Sequence, residues 1–167
     1  MITTNSFIHT SIELSEVKSF VRVDTDAHDT LLSTLVEAAQ DECFNRTHFV
    51  FGSAEFTVKR WEVLSQLALP FAPVLSVTEV LLDGDAAVLD TDYEVKGDLV
   101  CILTGYSDTI ELTFTCGTTL PADVKHAIFQ RVKYGYDFGD DLPQNLQAPR
   151  FFDRVTDRYR HYNTYAG

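Results

Sequence analysis

Apolar and polar residues alternate along the chain with two different periods. Apolar residues recur every three or four positions over residues 15–23, 27–46 and 121–136, which is the spacing that places them on one face of an α-helix. Asp26 is suited to cap the second helix, because its carboxylate can accept a hydrogen bond from a free amide of the first turn. Pro121 fits the first turn of the third helix, where no amide is needed. The pattern therefore predicts three helices.

Between residues 49 and 115 the pattern changes to the period of β-strands. Val74–Leu82 is rich in β-branched residues and is followed by Asp83-Gly84, which is typical of a tight hairpin turn. We expect the return strand at Ala87–Leu89. Apolar and polar residues alternate strictly over Ile110–Phe114, as in a strand with one buried and one solvated face.

Because these strands lie between helices and do not alternate with them, the sequence predicts an α+β fold. We expect a small bundle of three to four helices, an inserted β-hairpin with short antiparallel strands, and an extended C-terminal segment. The 167 residues, 45% of them apolar and 23% charged, suit one globular domain. We place its core at residues 1–142 and a docking tail at residues 143–167.

The predicted tail is rich in aromatic and basic residues, which contribute most of the binding energy at many protein interfaces. We therefore expect it to bind another protein; the alternative is that it folds back on its own core. The candidate interface residues are Arg150, Phe151, Phe152, Arg154, Arg158, Tyr159, Arg160, Tyr162 and Tyr165.

The net charge of −12 is distributed unevenly. Residues 1–120 contain 19 acidic and 6 basic residues, whereas residues 121–167 contain 6 acidic and 7 basic residues. Such an acidic chain is unsuited to binding nucleic acid through its phosphates. The asymmetry indicates two surfaces with different partners, although a high net charge also serves solubility alone.

No catalytic or cofactor-binding motif is present: the chain lacks G-x-S-x-G, G-x-x-x-x-G-K-[ST], G-x-G-x-x-G and H-E-x-x-H. Cys43, Cys101 and Cys116 are odd in number and form no C-x-x-C pair, so we expect three small buried apolar residues and no disulfide or zinc site. We assign no catalytic residue, no cofactor and no metal ligand.

One acidic cluster is an alternative candidate for chemistry, because clustered carboxylates can bind a divalent cation. Its members are Asp83, Asp85, Asp90, Asp92, Glu94 and Asp98. No frame matches an EF-hand loop, and a solvated acidic loop explains the cluster equally well. A metal-dependent hydrolase using Asp83, Asp85, Asp90 and Asp92 is the remote alternative.

No apolar run is long enough to cross a membrane, and the first residues lack the basic and apolar regions of a secretory signal. We expect synthesis in a host cytoplasm.

The order of several short motifs resembles the head–tail connector (adaptor) proteins of tailed bacteriophages. The motifs are Glu16–Asp24 with Asp29, Leu31-Leu32 and Leu35–Ala39; Leu69–Val74 with Ser76–Thr78 and Asp83–Asp85; Asp92–Val95 and Ile110–Phe114; and Pro121–Ile128 with Tyr134 and Tyr136. They span most of residues 12–138. Residues 49–67 and the tail after Pro143 are less typical of the family.

The resemblance implies a virion protein that forms a ring, typically of twelve copies, between the portal and a stopper or tail-completion protein. In this family a short C-terminal stretch around an arginine meets the portal; Arg150 and Arg160 are both candidates. The hairpin loop Asp83-Gly84-Asp85 would face a neighbouring copy or the stopper. An acidic inner wall would let DNA pass without specific binding. A stopper or tail-completion protein of the neck is the alternative within the virion.

Overall fold

The computed structural model describes residues 1–63, 65–139 and 150–161. These residues form two compact units. The helical unit contains residues 10–47, 120–139 and 150–160, and the sheet unit contains residues 1–9, 48–63, 65–119 and 161. The α+β fold predicted from the sequence is confirmed. The units divide the chain differently from the predicted core and tail, because residues 150–160 belong to the helical unit.

The helical unit contains four helices and one short 3₁₀ turn at Asp26–His28. The helices are α1 (Leu14–Val21), α2 (Asp29–Thr47), α3 (Ala122–Phe138) and α4 (Arg150–Arg158). The first three lie within two residues of their predicted bounds. The fourth corrects the prediction of an extended C-terminal segment, since the described part of that segment is helical.

Side chains at helical spacing form the core of this unit. α2 packs against α3 and α4, and α1 packs against α3. The fully buried residues include Val17, Leu32, Ile128 and Val155. Removing these apolar surfaces from water is the main contribution to the stability of the unit, at about 25 cal/mol per Å².

The sheet unit contains two antiparallel sheets. The larger has the strand order β1-β2-β8-β4-β5, and the smaller has the order β3-β7-β6. The strands are β1 (Ile2–His9), β2 (Gly52–Val63), β3 (Gln66–Ala68), β4 (Val74–Leu82), β5 (Asp85–Ala86), β6 (Tyr93–Lys96), β7 (Leu99–Ile102) and β8 (Ser107–Cys116).

The larger sheet has one apolar and one polar face. Phe56 on β2 lies opposite Phe114 on β8, and both rings are almost completely buried. The opposite face carries hydroxyl and charged pairs, including Thr57 Oγ1 to Thr113 Oγ1 at 2.9 Å and an ion pair between Lys59 and Glu111. The predicted alternation over Ile110–Phe114 is therefore confirmed.

Strand β4 has the bounds that the sequence predicts, but its side chains do not alternate regularly. The pairing with β8 shifts between Val74 and Ser76 and again between Val77 and Glu79. Each shift inserts an extra residue, and an extra residue reverses the faces of those that follow. Strict alternation along the sequence predicts one face with Val74, Ser76, Thr78 and Val80 and another with Leu75, Val77, Glu79 and Leu81. The two bulges make this prediction wrong.

Two other strands differ from the predictions. The return strand of the hairpin is Asp85–Ala86, directly after the turn, and not Ala87–Leu89. Strand β1 is not predicted by the sequence pattern, because its threonine, asparagine and serine residues interrupt any apolar alternation. Within the described residues, no helix is long and apolar enough to cross a membrane.

Gly117 lies where two stretches of backbone approach closely. A Cβ atom added there would lie 2.3 Å from the carbonyl oxygen of Gly52. We predict that Gly117→Ala lowers the free energy of unfolding by about 3 kcal/mol, because the backbone must shift to accommodate the methyl group. Chemical denaturation measures this loss. Gly97→Ala is the control, since Gly97 also has a positive φ but nothing lies within 4 Å of an added Cβ; an equal loss in both variants would contradict the prediction.

The three cysteines are free but differ in exposure. Cys43 and Cys116 are buried as predicted, whereas Cys101 is half-buried. Burial raises the pKa of both buried thiols to about 12, so only about one in ten thousand is the reactive thiolate at pH 8.

We therefore predict that a maleimide reagent modifies one cysteine in the native protein at pH 8 and all three after denaturation. Mass spectrometry of the modified protein counts the labels, and Cys101→Ser should abolish native labelling. Rapid native labelling of the Cys101→Ser variant would contradict the assignment.

Candidate protein-interaction surfaces

Helix α4 is attached to the helical unit through its apolar face. Phe152 and Val155 are almost completely buried. The guanidinium of Arg46 lies 5.7 Å from the centre of the Phe152 ring and forms an ion pair with Asp153. A cation over an aromatic face and a charged pair on the same arginine both favour one orientation of the helix.

Polar contacts hold the end of α4 against α3. Asp123 accepts hydrogen bonds from Arg158 at 3.0 Å and from the hydroxyl of Tyr159 at 3.1 Å. Partial burial, together with the hydrogen bond to Asp123, raises the pKa of the Tyr159 hydroxyl. The Arg160 Nε donates to the carbonyl of Arg46 at 3.2 Å. Several residues that the sequence assigns to an interface with another protein thus contact their own unit.

The opposite face of α4 is exposed and mostly basic. Arg150, Arg154 and Arg158 are exposed, together with Asp157. Arg154 lies over the ring of Phe151 at 5.8 Å. This stacking leaves the guanidinium edge available to a partner, because a planar cation can contact a ring through its face and an anion through its edge. The name α4 basic face is used below for Arg150, Phe151, Arg154, Asp157 and Arg158.

The structure thus separates the described residues of the predicted tail into three groups. Arg150, Phe151, Arg154 and Arg158 belong to the α4 basic face, whereas Phe152 belongs to the core. Tyr159 and Arg160 lie at the end of the helix, held by Asp123 and Arg46. Tyr162 and Tyr165 lie outside the described residues. The interface role of the tail stays a prediction.

The hairpin turn has the geometry that its sequence predicts. Asp83 and Gly84 both have positive φ, of 53° and 93°, as in the tight turns that match the twist of paired strands. The carboxylate of Asp83 accepts from the amide of Thr109 at 2.7 Å. This bond ties the turn to β8. Asp85 is exposed, so the loop presents negative charge on a rigid support.

The acidic cluster does not converge on one point. Asp92 accepts from the amide of Val88 at 2.8 Å, and Glu94 forms an ion pair with Lys96. Asp98 lies 3.5 Å from the ring nitrogen of His161. Among the described residues, no group of three metal-binding side chains lies close enough to hold an ion.

Sequence analysis missed a set of exposed apolar residues on the sheet unit, because periodicity shows which residues can be buried but not which stay exposed. The set comprises Ile2, Ile8, Trp61, Leu75, Val88, Leu89, Leu103 and Tyr106. Exposed apolar residues are typical of a protein-binding site where they form a contiguous patch, whereas single ones are common on protein surfaces. Trp61 at 68% exposed and Leu75 at 66% are prominent examples.

We predict that Phe152→Ala lowers the free energy of unfolding by about 3 to 5 kcal/mol, as expected when a large buried ring is removed. Arg154→Ala, on the exposed face of the same helix, should change it by less than about 0.5 kcal/mol. Thermal and urea denaturation compare the two. Similar small losses in both variants would show that α4 is not part of the core.

Part of the sequence is similar to a known family. Residues 11–80 match the family model described as the phage gp6-like head–tail connector protein. This range contains the first motif and most of the second; the later motifs lie outside it. No protein with a curated description matches the sequence.

Solved structures share the whole fold. A chain from the neck of an empty GTA particle, computed with C6 symmetry, has a TM-score of 0.78 and 22% identity. A chain from the virion of a native gene transfer agent (GTA) particle has a TM-score of 0.75 and 21% identity, and one from a native GTA neck computed with C12 symmetry has 0.69 and 20%. Each match covers 100% of this chain and 98% of the other. The family match confirms the predicted resemblance of this chain to the head–tail connector proteins of tailed phages.

Proposed function

We propose that this protein is a structural subunit of the virion neck, one segment of a connector ring that joins the head to the tail. The family match over residues 11–80 is the observation on which this proposal chiefly rests. The likeness of the entire fold to neck chains of GTA particles supports it. We infer a ring of about twelve copies from the family resemblance, with a portal on one side and a stopper or tail-completion protein on the other.

A structural role agrees with the chemistry of the described residues. The carboxylates of the acidic cluster that have hydrogen-bond or ion-pair partners each bind a different group. The exposed groups are instead suited to contacts with other proteins: a basic helix face, an acidic turn and apolar residues on the sheet unit.

We propose that the α4 basic face contacts the portal. The helix is held rigidly by Phe152 and by the contact of Arg158 with Asp123, so Arg154 is presented without a large entropic cost of ordering. Arginine binds carboxylates through two parallel hydrogen bonds. An acidic surface on the portal is therefore the expected partner.

The excess of acidic residues suits the wall of a DNA channel. In the sheet unit, 11 residues are acidic and 3 are basic. A negative wall repels phosphates, so DNA would move through without binding. We propose that part of this acidic surface lines the ring; a basic lumen in a map of the particle neck would contradict that assignment.

A stopper or tail-completion protein stays the alternative within the neck. A place in the neck or the virion of a GTA particle does not distinguish a connector from a stopper. Binding to the portal separates the two, since a connector contacts the portal directly and a stopper does not.

We predict that the purified protein, mixed with the portal of the same particle, adds a ring of density to the portal in negative-stain images. Arg154→Glu should weaken this binding about tenfold or more, which corresponds to about 1.4 kcal/mol. Lys133→Glu makes the same charge change on α3 and serves as the control. No added density with the wild-type protein would contradict the connector assignment, whereas equal binding by both variants would contradict only the role of α4.

A further inference from the structure

Both edges of the larger sheet are open over most of their length. Among the described residues, no strand pairs with the outer edge of β1, and the return strand covers β4 only at Val80, Leu81 and Leu82. An open edge presents a row of unpaired amides and carbonyls, which is a template for pairing with another strand. The sheet unit thus has two such templates, one on each side.

The hydrogen-bond pattern identifies the backbone groups on the open edge of β1. Met1 exchanges hydrogen bonds with Lys59 at 2.7 and 2.8 Å. Because residues of an antiparallel ladder alternate between inward and outward bonding, the amides and carbonyls of Ile2 and Thr4 point away from β2. A bulge follows at Asn5.

Backbone groups of β4 also point away from the sheet, at Val80 and Val77. The carbonyl of Val80 points outward, since it accepts from the amide of Ala87 at 2.9 Å. Val80 lies opposite Leu112, and Val77 lies opposite Phe114 two residues further along β8. Val77 therefore also bonds outward, in the part of β4 that β5 does not cover.

Both edges contain β-bulges, but neither carries the proline or the clustered charges that usually prevent strand pairing. Natural edge strands are commonly protected by lysine, proline or other charged residues. Strand β1 contains no Asp, Glu, Lys, Arg or Pro, and Val74–Val80 contains a single charge, at Glu79. In a chain with 25 acidic residues, two nearly neutral edges can meet without repulsion between like charges.

The strand order gives the two edges opposite directions, so that an edge of one copy can pair with the other edge of the next copy. Each step in the order β1-β2-β8-β4 is antiparallel, so β1 and β4 run in opposite directions. When a second copy is placed beside the first in the same orientation, its β1 is antiparallel to the open part of β4. Each copy would offer one edge of each kind, which is the head-to-tail contact from which rings are built.

We propose that β1 of one copy pairs with the Val74–Glu79 part of β4 of the next copy, so that neighbouring ring subunits share a continuous antiparallel sheet. This inference rests on the ring proposed above and identifies the surface that joins its subunits.

The test is Thr4→Pro. Proline removes the outward amide of Thr4 and places its ring at the edge, and it is tolerated on edge strands because the inward bonds are kept. We expect at least a tenfold loss of rings on the portal, measured by negative-stain imaging and native mass spectrometry. Thr4→Ala, which keeps the amide, should form rings within about twofold of the wild type.

Leu75→Lys tests the other edge, because lysine on an open edge opposes pairing. Leu31→Lys is its control, since Leu31 is an exposed leucine of helix α2, outside both sheets. Thr4→Pro keeps an intact β4, and Leu75→Lys keeps an intact β1. In a mixture, β1 of Leu75→Lys can therefore pair with β4 of Thr4→Pro. We expect one-to-one pairs at concentrations at which the wild type associates and neither variant associates alone. Circular dichroism and thermal denaturation establish that each variant is folded.

The outcomes separate the two proposals. Rings of the wild type with no rings of Thr4→Pro, and pairs in the mixture, support the shared sheet. If folded Thr4→Pro forms as many rings as the wild type, the shared sheet is overturned and the connector function stays intact. A mixture of the two variants that forms no pairs has the same meaning. A wild-type protein that adds no ring to the portal overturns both proposals.

Discussion

The pairing of β2 with β8 is the constraint on which the arrangement of the sheet unit depends. Phe56 and Phe114 face each other across these strands with ring centres 5.8 Å apart, and Phe71 stacks on Phe56 at 4.2 Å. A shift of one residue would expose these buried rings and bury the charged pair of Lys59 and Glu111. The aromatic cluster therefore sets the register of the central strands.

That register also decides which strands lie at the edges. With β2 and β8 in the centre, β1 and β4 can pair only on the outside. The polar face is then held by short hydrogen bonds, such as Ser76 Oγ to Thr115 Oγ1 at 2.8 Å. A rigid sheet with defined edges is a better element for an assembly than a flexible one, because little order is lost when a neighbour binds.

In the helical unit, rigidity holds charged side chains in fixed positions. The α4 basic face would be a flexible and weakly binding segment if its helix were free. Phe152 and the contacts of Arg46 and Asp123 instead fix it. Repulsion between the carboxylates of this acidic chain is also reduced, because Glu42 forms ion pairs with both Arg46 and Arg131.

The sequence predicted those parts of the fold in which local pattern and tertiary packing agree. The three helices and β4 and β8 were predicted within a few residues, since their apolar spacing coincides with burial. β1 was missed because it is stabilised by its pairing with β2 and not by its own pattern. The side-chain directions along β4 depend on two bulges, which are set by the partner strand β8.

The candidate surfaces could be predicted only in part, for a similar reason. Composition identified the arginines and aromatic residues near the C-terminus as suited to an interface, but an amphipathic helix and an extended docking segment share that composition. The burial of Phe152 and the exposure of Arg154 separate the two. No sequence signal distinguishes exposed Trp61 from buried Phe56, because exposure depends on which neighbours the fold supplies.

Charge limits how such subunits can assemble. A ring of identical chains, each with a net charge of −12, must overcome mutual repulsion, which acts over a screening length of about 8 Å at physiological ionic strength. Contacts between nearly neutral surfaces keep the carboxylates of adjacent copies apart, and backbone hydrogen bonds need no charge to form. An acidic protein can thus remain dispersed as a single chain and still join its neighbours, provided that the joining surfaces are those in which acidic residues are scarce. In this chain the open edges of β1 and β4 meet that condition.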